Sequence, residues 1–411
     1  MTRTTELVPL ADYLYGVMAR LRPLPPLEVD LTQAYGNVLA EEVTAPGPLP
    51  AFDHAAIDGY AVRAEDLLGA TATRPVRLNV VGDLSASSWR PVRLTAHACF
   101  SVAAGAPLPA AADAVVPLDW TDQGMAVVEV YDAAKRGHGL RRAGEEISAG
   151  SVIARAGTQI TPPLVALLAA CGIGHVVVRP CPRVVVLATG DELVEAGRSS
   201  QAGQIVDANS HALTSAAAEA GAHAYRVGIC DDDPEALRAL VDDQTLRADL
   251  IITTGGTGTG PGDMVRRILG RDGVEFTDLS VYPAGSLGFG TIGPEEVPIV
   301  CLPGDPGTAL MSFEMLARPV IRLLAGAEPV FRPSIKAHLL ETVASPVGVR
   351  EFRPAHVAER RGGGYTVQPL AGGPYTLSGL AEANGVLVLG ERVTTAAAGS
   401  TVDVLLVDRR R

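Results

Sequence analysis

Lysine is almost absent from this chain: Lys135 and Lys336 are the only two in 411 residues. Basic runs are equally scarce, the longest being 409–411, and the formal charge at pH 7 is −12. That balance repels a phosphate backbone, so no nucleic-acid partner is expected. No apolar stretch reaches the roughly 18 residues of a membrane-spanning helix. The start of the chain lacks the basic stretch, apolar run and small-residue cleavage site of a secretory leader. A cytoplasmic protein without membrane insertion is the expectation. The five cysteines, at 99, 171, 181, 230 and 301, include no C-x-x-C pair and read as small buried hydrophobes in a reducing compartment. The eight histidines show no H-x-x-x-H spacing, which argues against zinc and leaves a carboxylate site for a hard cation open.

What the chain does have is apolar bulk. Hydrophobic residues make up 47% and charged residues 19%, a globular composition, and the length suggests two to four domains at about 150 residues each. Residues 10–21 place Leu10, Leu14, Val17, Met18 and Leu21 on one helical face, ended by a proline-rich run. Short β-branched runs at 76–81, 92–95, 114–117 and 126–131 predict a small β-rich unit. From about residue 182, strands at 183–188, 249–254 and 297–302 alternate with helices at 210–221, 234–241 and 307–324. That alternation predicts a parallel sheet covered on both faces. After residue 333 the runs 337–342, 365–369, 386–389 and 401–407 return to strands and predict a separate β module.

In an open α/β sheet, ligands bind beyond the carboxyl ends of the strands, so the residues just after each predicted strand carry the functional argument. The first such loop is Thr189-Gly190-Asp191-Glu192; its adjacent carboxylates suit a hard cation or, equally, a solvated turn. The second, 254–263, opens with Thr254, Gly255, Gly256, Thr257 and Gly258 and ends on Asp263. Glycines here admit a phosphate or pterin-type ligand close to the backbone, although the run matches neither a P-loop nor a dinucleotide fingerprint. The third, Pro303, Gly304, Asp305, Pro306, Gly307 and Thr308, leads into a helix and reads as an anion site or simply as a helix cap.

Further upstream, two acids precede an apolar strand in F-D-H-A-A-I-D-G-Y-A-V at 52–62, and R-R-A-G-E-E occupies 141–146. With G-A-P at 105–107, T-G-D-E-L at 189–193, D-x-N at 207–209, D-D-P at 232–234, T-G-G-T-G-x-x-x-x-D at 254–263 and L-P-G-D-P at 302–306, these segments resemble, in order and across nearly the whole chain, the MoeA family. That family comprises the molybdopterin molybdenumtransferases and includes the E domain of gephyrin.

The resemblance implies a multidomain α/β plus β subunit. Its parts would be a discontinuous linker domain (27–48 and 148–179), an inserted β-rich domain (49–147), a molybdopterin-binding α/β domain with a parallel sheet (7–26 and 180–328) and a C-terminal β-barrel (329–411). It implies a homodimer that inserts molybdate into adenylylated molybdopterin with Mg²⁺, giving molybdenum cofactor and AMP, at a site shared between subunits. By position, Asp58, Glu146, Glu192, Asp232 and Asp263 take the acidic catalytic roles, with Glu192 and Asp263 on the metal. Thr254, Gly255, Gly256, Thr257, Gly258, Pro303, Gly304, Asp305 and Thr308 take the pterin.

The match departs from the family where oxyanion chemistry is expected. Ala104 stands where a threonine is expected; Asp278, Tyr282 and Gly285 stand at lysine positions of a segment that would end P-G-K-P; and 372–374 read G-G-P for Q-G-S. Near 351–354 an arginine is displaced, Glu146 replaces the commoner Asp, and Asp305 the commoner Asn. Exchanging a cation for an anion about 5 Å from a dianion shifts the Coulomb energy by roughly 13 kcal/mol at an effective dielectric of 20, and by about a quarter of that in water. Two readings follow: an enzyme whose oxyanion site is rebuilt around arginine, Arg350 and Arg353 being candidates, or a gephyrin-like scaffold that binds a protein partner and no longer turns over.

Overall fold

The computed structural model describes residues 7–87, 90–260, 262–283, 285–370 and 376–407. The centre of the molecule is a six-stranded sheet in the order His223–Cys230, Arg183–Thr189, Leu250–Thr254, Val297–Leu302, Ser286–Ile292 and Glu275–Asp278. The first four strands run parallel, and Ser286–Ile292 is antiparallel to both of its neighbours, so Glu275–Asp278 again runs with the first four. Both faces are covered, which is why the central strands read as continuous apolar runs. Val184, Val186, Ile252, Val300 and Leu302 pack on one side with Leu10, Val17 and Leu21 of the N-terminal segment. Val185, Leu187, Ile251, Ile299 and Cys301 face the other side, against Leu237, Val241 and Ile268.

The helix predicted over 307–324 is interrupted. It runs as α-helix Pro306–Ser312, a π-helical turn Phe313–Ala317 and α-helix Arg318–Leu324. Pro319 has no amide hydrogen and crowds the carbonyl four residues back; widening the turn before it relieves the clash without ending the helix.

Two β-rich parts flank this sheet. Strands Gly59–Val62, Val76–Leu84, Ala98–Val102, Ala114–Pro117 and Val127–Val130 form a five-stranded sheet. Its alternating side chains feed one core through Tyr60, Val62, Leu78 and Val116 and another through Ala61, Leu84, Val102 and Val115, as the period of two requires. The strand predicted at 92–95 is not formed; Arg93 makes only an isolated bridge to Ala110.

After residue 333, five strands close on themselves in the order Arg350–Glu359, Tyr365–Pro369, Ser334–Leu339, Thr401–Leu406 and Gly385–Leu389, the last pairing back with the first. Ala337, Leu339, Ala355, Val357, Leu387 and Val404 fill this barrel. The short strand Val281–Tyr282 pairs in parallel with Arg350–Glu351 and ties the barrel to the central sheet.

Between the two larger β and α/β parts, distant segments meet. Leu27–Asp30 and Val38–Leu39 flank His175–Arg179, and Val43–Thr44 pairs with Val152–Ala154. Leu39, Ile160, Leu168, Val176 and Val178 form their common core. Among the described residues no helix is long and apolar enough to cross a membrane.

Candidate active site

The three loops singled out from the sequence converge at the carboxyl ends of the parallel strands. They enclose a cleft of about 750 Å³ whose walls include Glu192, Asp232, Asp263, Asp305, Gly285 and Ser286. Its floor is braced by hydrogen bonds between its own lining residues. Asn209 donates through Nδ2 to Thr254 Oγ1 (2.9 Å) and to the Gly304 carbonyl (2.8 Å), while the Thr254 hydroxyl donates to the Pro303 carbonyl (2.8 Å). One asparagine therefore fixes two of the three loops against each other.

The glycine loop is shaped by backbone geometry and by one carboxylate. Gly255 has φ +98°, and a Cβ there would lie 2.7 Å from the Thr189 carbonyl oxygen, so a side chain would push adjacent strand ends apart. Gly256 also has positive φ, +64°. At the far end of the loop, Asp263 accepts the Gly258 N–H at Oδ1 (2.9 Å) and the Gly260 N–H at Oδ2 (2.6 Å). Charge-assisted bonds of this kind are about twice as strong as neutral ones, so Asp263 holds the loop curled.

Asp305 caps the helix Pro306–Ser312 by accepting both the Thr308 N–H (2.9 Å) and the Thr308 hydroxyl (2.7 Å) at one oxygen. Glu192, Asp232, Asp263, Thr254, Gly255, Gly256, Thr257, Gly258, Pro303, Gly304 and Asp305 all line this one cleft. Thr308 does not: it is buried, with its hydroxyl spent on Asp305.

Asp58 and Glu146 are not on this cleft either. They sit in the β-rich part, where three distant motifs meet. Ala55 pairs with Leu140 and His54 with Arg141, and the Gly105 N–H donates to the Ala55 carbonyl. Asp58 accepts the Ala104 N–H (2.7 Å), Glu146 pairs with Arg141 (3.2 Å), and Asp53 takes both Arg142 (2.9 Å) and the Ala143 N–H (2.8 Å). The Ala143 amide foremost, with Arg142 beside it, holds the Asp53 carboxyl below the usual carboxylate range.

The cleft is strongly acidic. Glu192, Asp207, Asp232, Asp263 and Asp305 are on its walls, and no Lys, Arg or His is among its described lining residues. Burial, then the negative charge of Asp191 and Glu192, pushes the Asp232 carboxyl above its ordinary value. Asp207 is neutralised from behind, since Arg226 reaches both it (3.4 Å) and Glu195.

The two arginines considered as replacements for the absent lysines are committed elsewhere. Arg350 pairs with Glu391 (3.1 Å), and Arg353 with the fully buried Glu351 (2.6 Å). Residues 372–374 lie outside the described residues. Arg266, by contrast, lies just behind the cleft wall, and Ser286 is on it. Neither is singled out by reading the ends of strands, because Ser286–Ile292 runs antiparallel to its neighbour Val297–Leu302 and offers its beginning to the cleft. The sequence points to this segment through the departures from the family at 278, 282 and 285.

Comparison with known proteins agrees with this arrangement. The chain matches the family models "MoeA N-terminal region (domain I and II)" over residues 8–172, "Probable molybdopterin binding domain" over 185–323 and "MoeA C-terminal region (domain IV)" over 336–407. It is 38% identical over 395 residues to molybdopterin molybdenumtransferase 2 of Mycobacterium tuberculosis, covering 94% of this chain and 96% of that one. To the molybdopterin molybdenumtransferase of Haemophilus influenzae it is 30% identical over 381 residues, 92% of each chain. A crystal structure of a molybdopterin biosynthesis MoeA protein from Pyrococcus horikoshii superposes with a TM-score of 0.78 at 30% identity, covering 98% of this chain and 99% of that one. The chain belongs to the MoeA family.

Proposed function

We propose that this chain is a molybdopterin molybdenumtransferase, which takes adenylylated molybdopterin and molybdate and releases molybdenum cofactor and AMP. The observation that carries the proposal is the convergence of Glu192, Asp232 and Asp263 on a glycine-lined cleft at the carboxyl ends of the strands. The glycines of the 255–258 loop let the phosphate of the pterin come close to the backbone. Asp263 keeps that loop in its receptive shape through its two amide bonds. The curated relatives bear enzyme names, which favours catalysis over a non-catalytic scaffold.

The donor set suits Mg²⁺. Among the described residues no three His, Cys, Asp or Glu side chains gather closely enough to hold a metal by themselves. Mg²⁺ asks for less: one or two carboxylates, water and substrate phosphates. The crowding of Asp232 by Asp191 and Glu192 is a repulsion that a divalent cation relieves. Glu192 and Asp263 would hold the ion, which there would offset charge developing on the cleaved phosphate.

Asp58 and Glu146 enter the reaction from a second copy of the chain in a cytoplasmic homodimer, whose β-rich part covers the cleft of its partner. Complementation tests the whole reading. A strain lacking its molybdenum-inserting enzyme should regain nitrate reductase activity when it expresses this chain, at low or at raised molybdate. Purified protein should release AMP from adenylylated molybdopterin only when molybdate is present. No rescue at either molybdate level, together with no AMP release, would overturn the proposal.

A further inference from the structure

An acidic cleft that must admit a dianion needs positive charge from somewhere, and the side chains behind its walls show where this chain keeps it. Ser286 stands on the wall with its side chain largely buried, at 7% exposure for the residue. Its hydroxyl accepts a hydrogen bond from Arg266 Nη1 at 2.7 Å, and among the described residues that is its only hydrogen bond. The hydroxyl proton is therefore available to a ligand, made more acidic by the cation behind it.

The same Nη1 reaches the Thr257 carbonyl at 3.4 Å, so the guanidinium bridges the glycine loop to the opposite wall. Phe276 packs beneath it, 5.5 Å from ring centroid to Cζ, which restrains its plane. Asp278 lies directly across the strand ladder from Ser286 and 4.0 Å from Arg266. This aspartate stands where the family resemblance expects lysine, and here it partly cancels the arginine's charge.

We propose that Ser286 and Arg266 form the oxyanion subsite of this cleft. Ser286 donates its O–H to an oxygen of molybdate, Arg266 is the positioning residue that orients and polarises it, and Asp278 sets how much positive charge the anion feels. The inference rests on the transferase reading above and goes further in naming where the oxyanion sits and which groups replace the absent lysines.

The test is AMP release as a function of molybdate and, separately, of adenylylated molybdopterin. Ser286→Ala and Arg266→Gln should each raise the KM for molybdate about tenfold or more, the size expected for a lost charge-assisted hydrogen bond, while the KM for the pterin moves less than about threefold. Arg266→Lys should restore part of the loss. Asp278→Asn should lower the molybdate KM by about threefold or more, a gain that a misfolded variant does not produce.

Equilibrium dialysis of molybdate against protein loaded with molybdopterin gives a second readout free of turnover, in which the dissociation constants should follow the same order. If the wild-type chain releases no AMP, the transferase reading fails and dialysis alone judges the subsite. An unchanged molybdate constant in Ser286→Ala and Arg266→Gln, or an Asp278→Asn variant that binds molybdate more weakly, would overturn the inference.

Discussion

The two clusters of family motifs in this chain are built on different principles. In the α/β part the binding surface is mostly backbone: positive-φ glycines, strand ends and helix starts, braced by Asn209, Asp263 and Asp305. In the β-rich part it consists of charged side chains already paired with one another, Glu146 with Arg141 and Asp53 with Arg142, all half-exposed. The first encloses a cleft; Asp58 and Glu146 of the second lie outside that cleft. A surface whose charges are satisfied and exposed gains little by binding a small molecule alone; in the proposed reading it closes the acidic cleft of a second copy and supplies further carboxylates. The contrast teaches that the two motif clusters offer different things, a cleft shaped by backbone and a face of paired charges.

The sharpest way to break the comparison is at Asp263. Asp263→Ala removes the acceptor of two amide bonds and a proposed metal ligand together, and AMP release should fall by about a hundredfold or more. An unchanged rate would remove Asp263 from the site. Asp58→Ala should be comparably damaging despite lying outside the cleft. If each active site takes one half from each subunit, coexpressing the two inactive variants should return about a quarter of wild-type activity, since half of the dimers are mixed and each of those keeps one intact site. Recovery of nothing, with mixed dimers verified by tags, would place both halves in one chain.

A third variant probes the backbone half alone. Alanine at Gly255 must adopt a positive φ and find room 2.7 Å from the Thr189 carbonyl, at a cost of about 1–2 kcal/mol for the conformation and more for the contact. Gly255→Ala should lower the melting temperature by several degrees and weaken pterin binding about tenfold, read by thermal denaturation and by fluorescence titration. Ala104→Thr, in the other half, should do neither.

How much of this was legible beforehand follows the same division. The parallel strands announce themselves because burial on both faces leaves continuous apolar runs at 184–188 and 250–252, and the loops that follow them are rich in glycine and proline for steric reasons that sequence records. The antiparallel strand Ser286–Ile292 was not legible, because Gly288 and Gly290 dilute its pattern. A Cβ at either would strike neighbouring atoms at less than 3 Å, so these glycines serve close packing and not a turn. Thr308 falls outside the cleft lining for a local reason: its hydroxyl is turned to the aspartate at the cap. Arg266 was invisible because its value lies in what it touches across the sheet, and pairings between segments 20 residues apart carry no local signature.

The smallest effects come from a matched pair of isosteric changes, one in each half. Asparagine caps helices as well as aspartate does, so Asp305→Asn should keep the bonds to Thr308 and leave the melting temperature unchanged. It removes one negative charge from the cleft wall, and at about 6 Å in water that is roughly 0.7 kcal/mol per unit of ligand charge, or about threefold in pterin affinity. Asp53→Asn likewise keeps an acceptor for the Ala143 N–H but gives up the charge facing Arg142. Because folding lowers the Asp53 carboxyl below its ordinary value, its ionised form stabilises the native chain above the unfolded carboxylate range, and that contribution disappears as pH falls through the lowered value. The two proteins should therefore differ in melting temperature by a degree or so near neutrality, with wild type the more stable, and converge in acid once the carboxyl is protonated in both the folded and unfolded chain. A gap that persists in acid would mean that Arg142 matters through packing, and the β-rich half would then be less dependent on its paired charges than the contrast with the cleft requires.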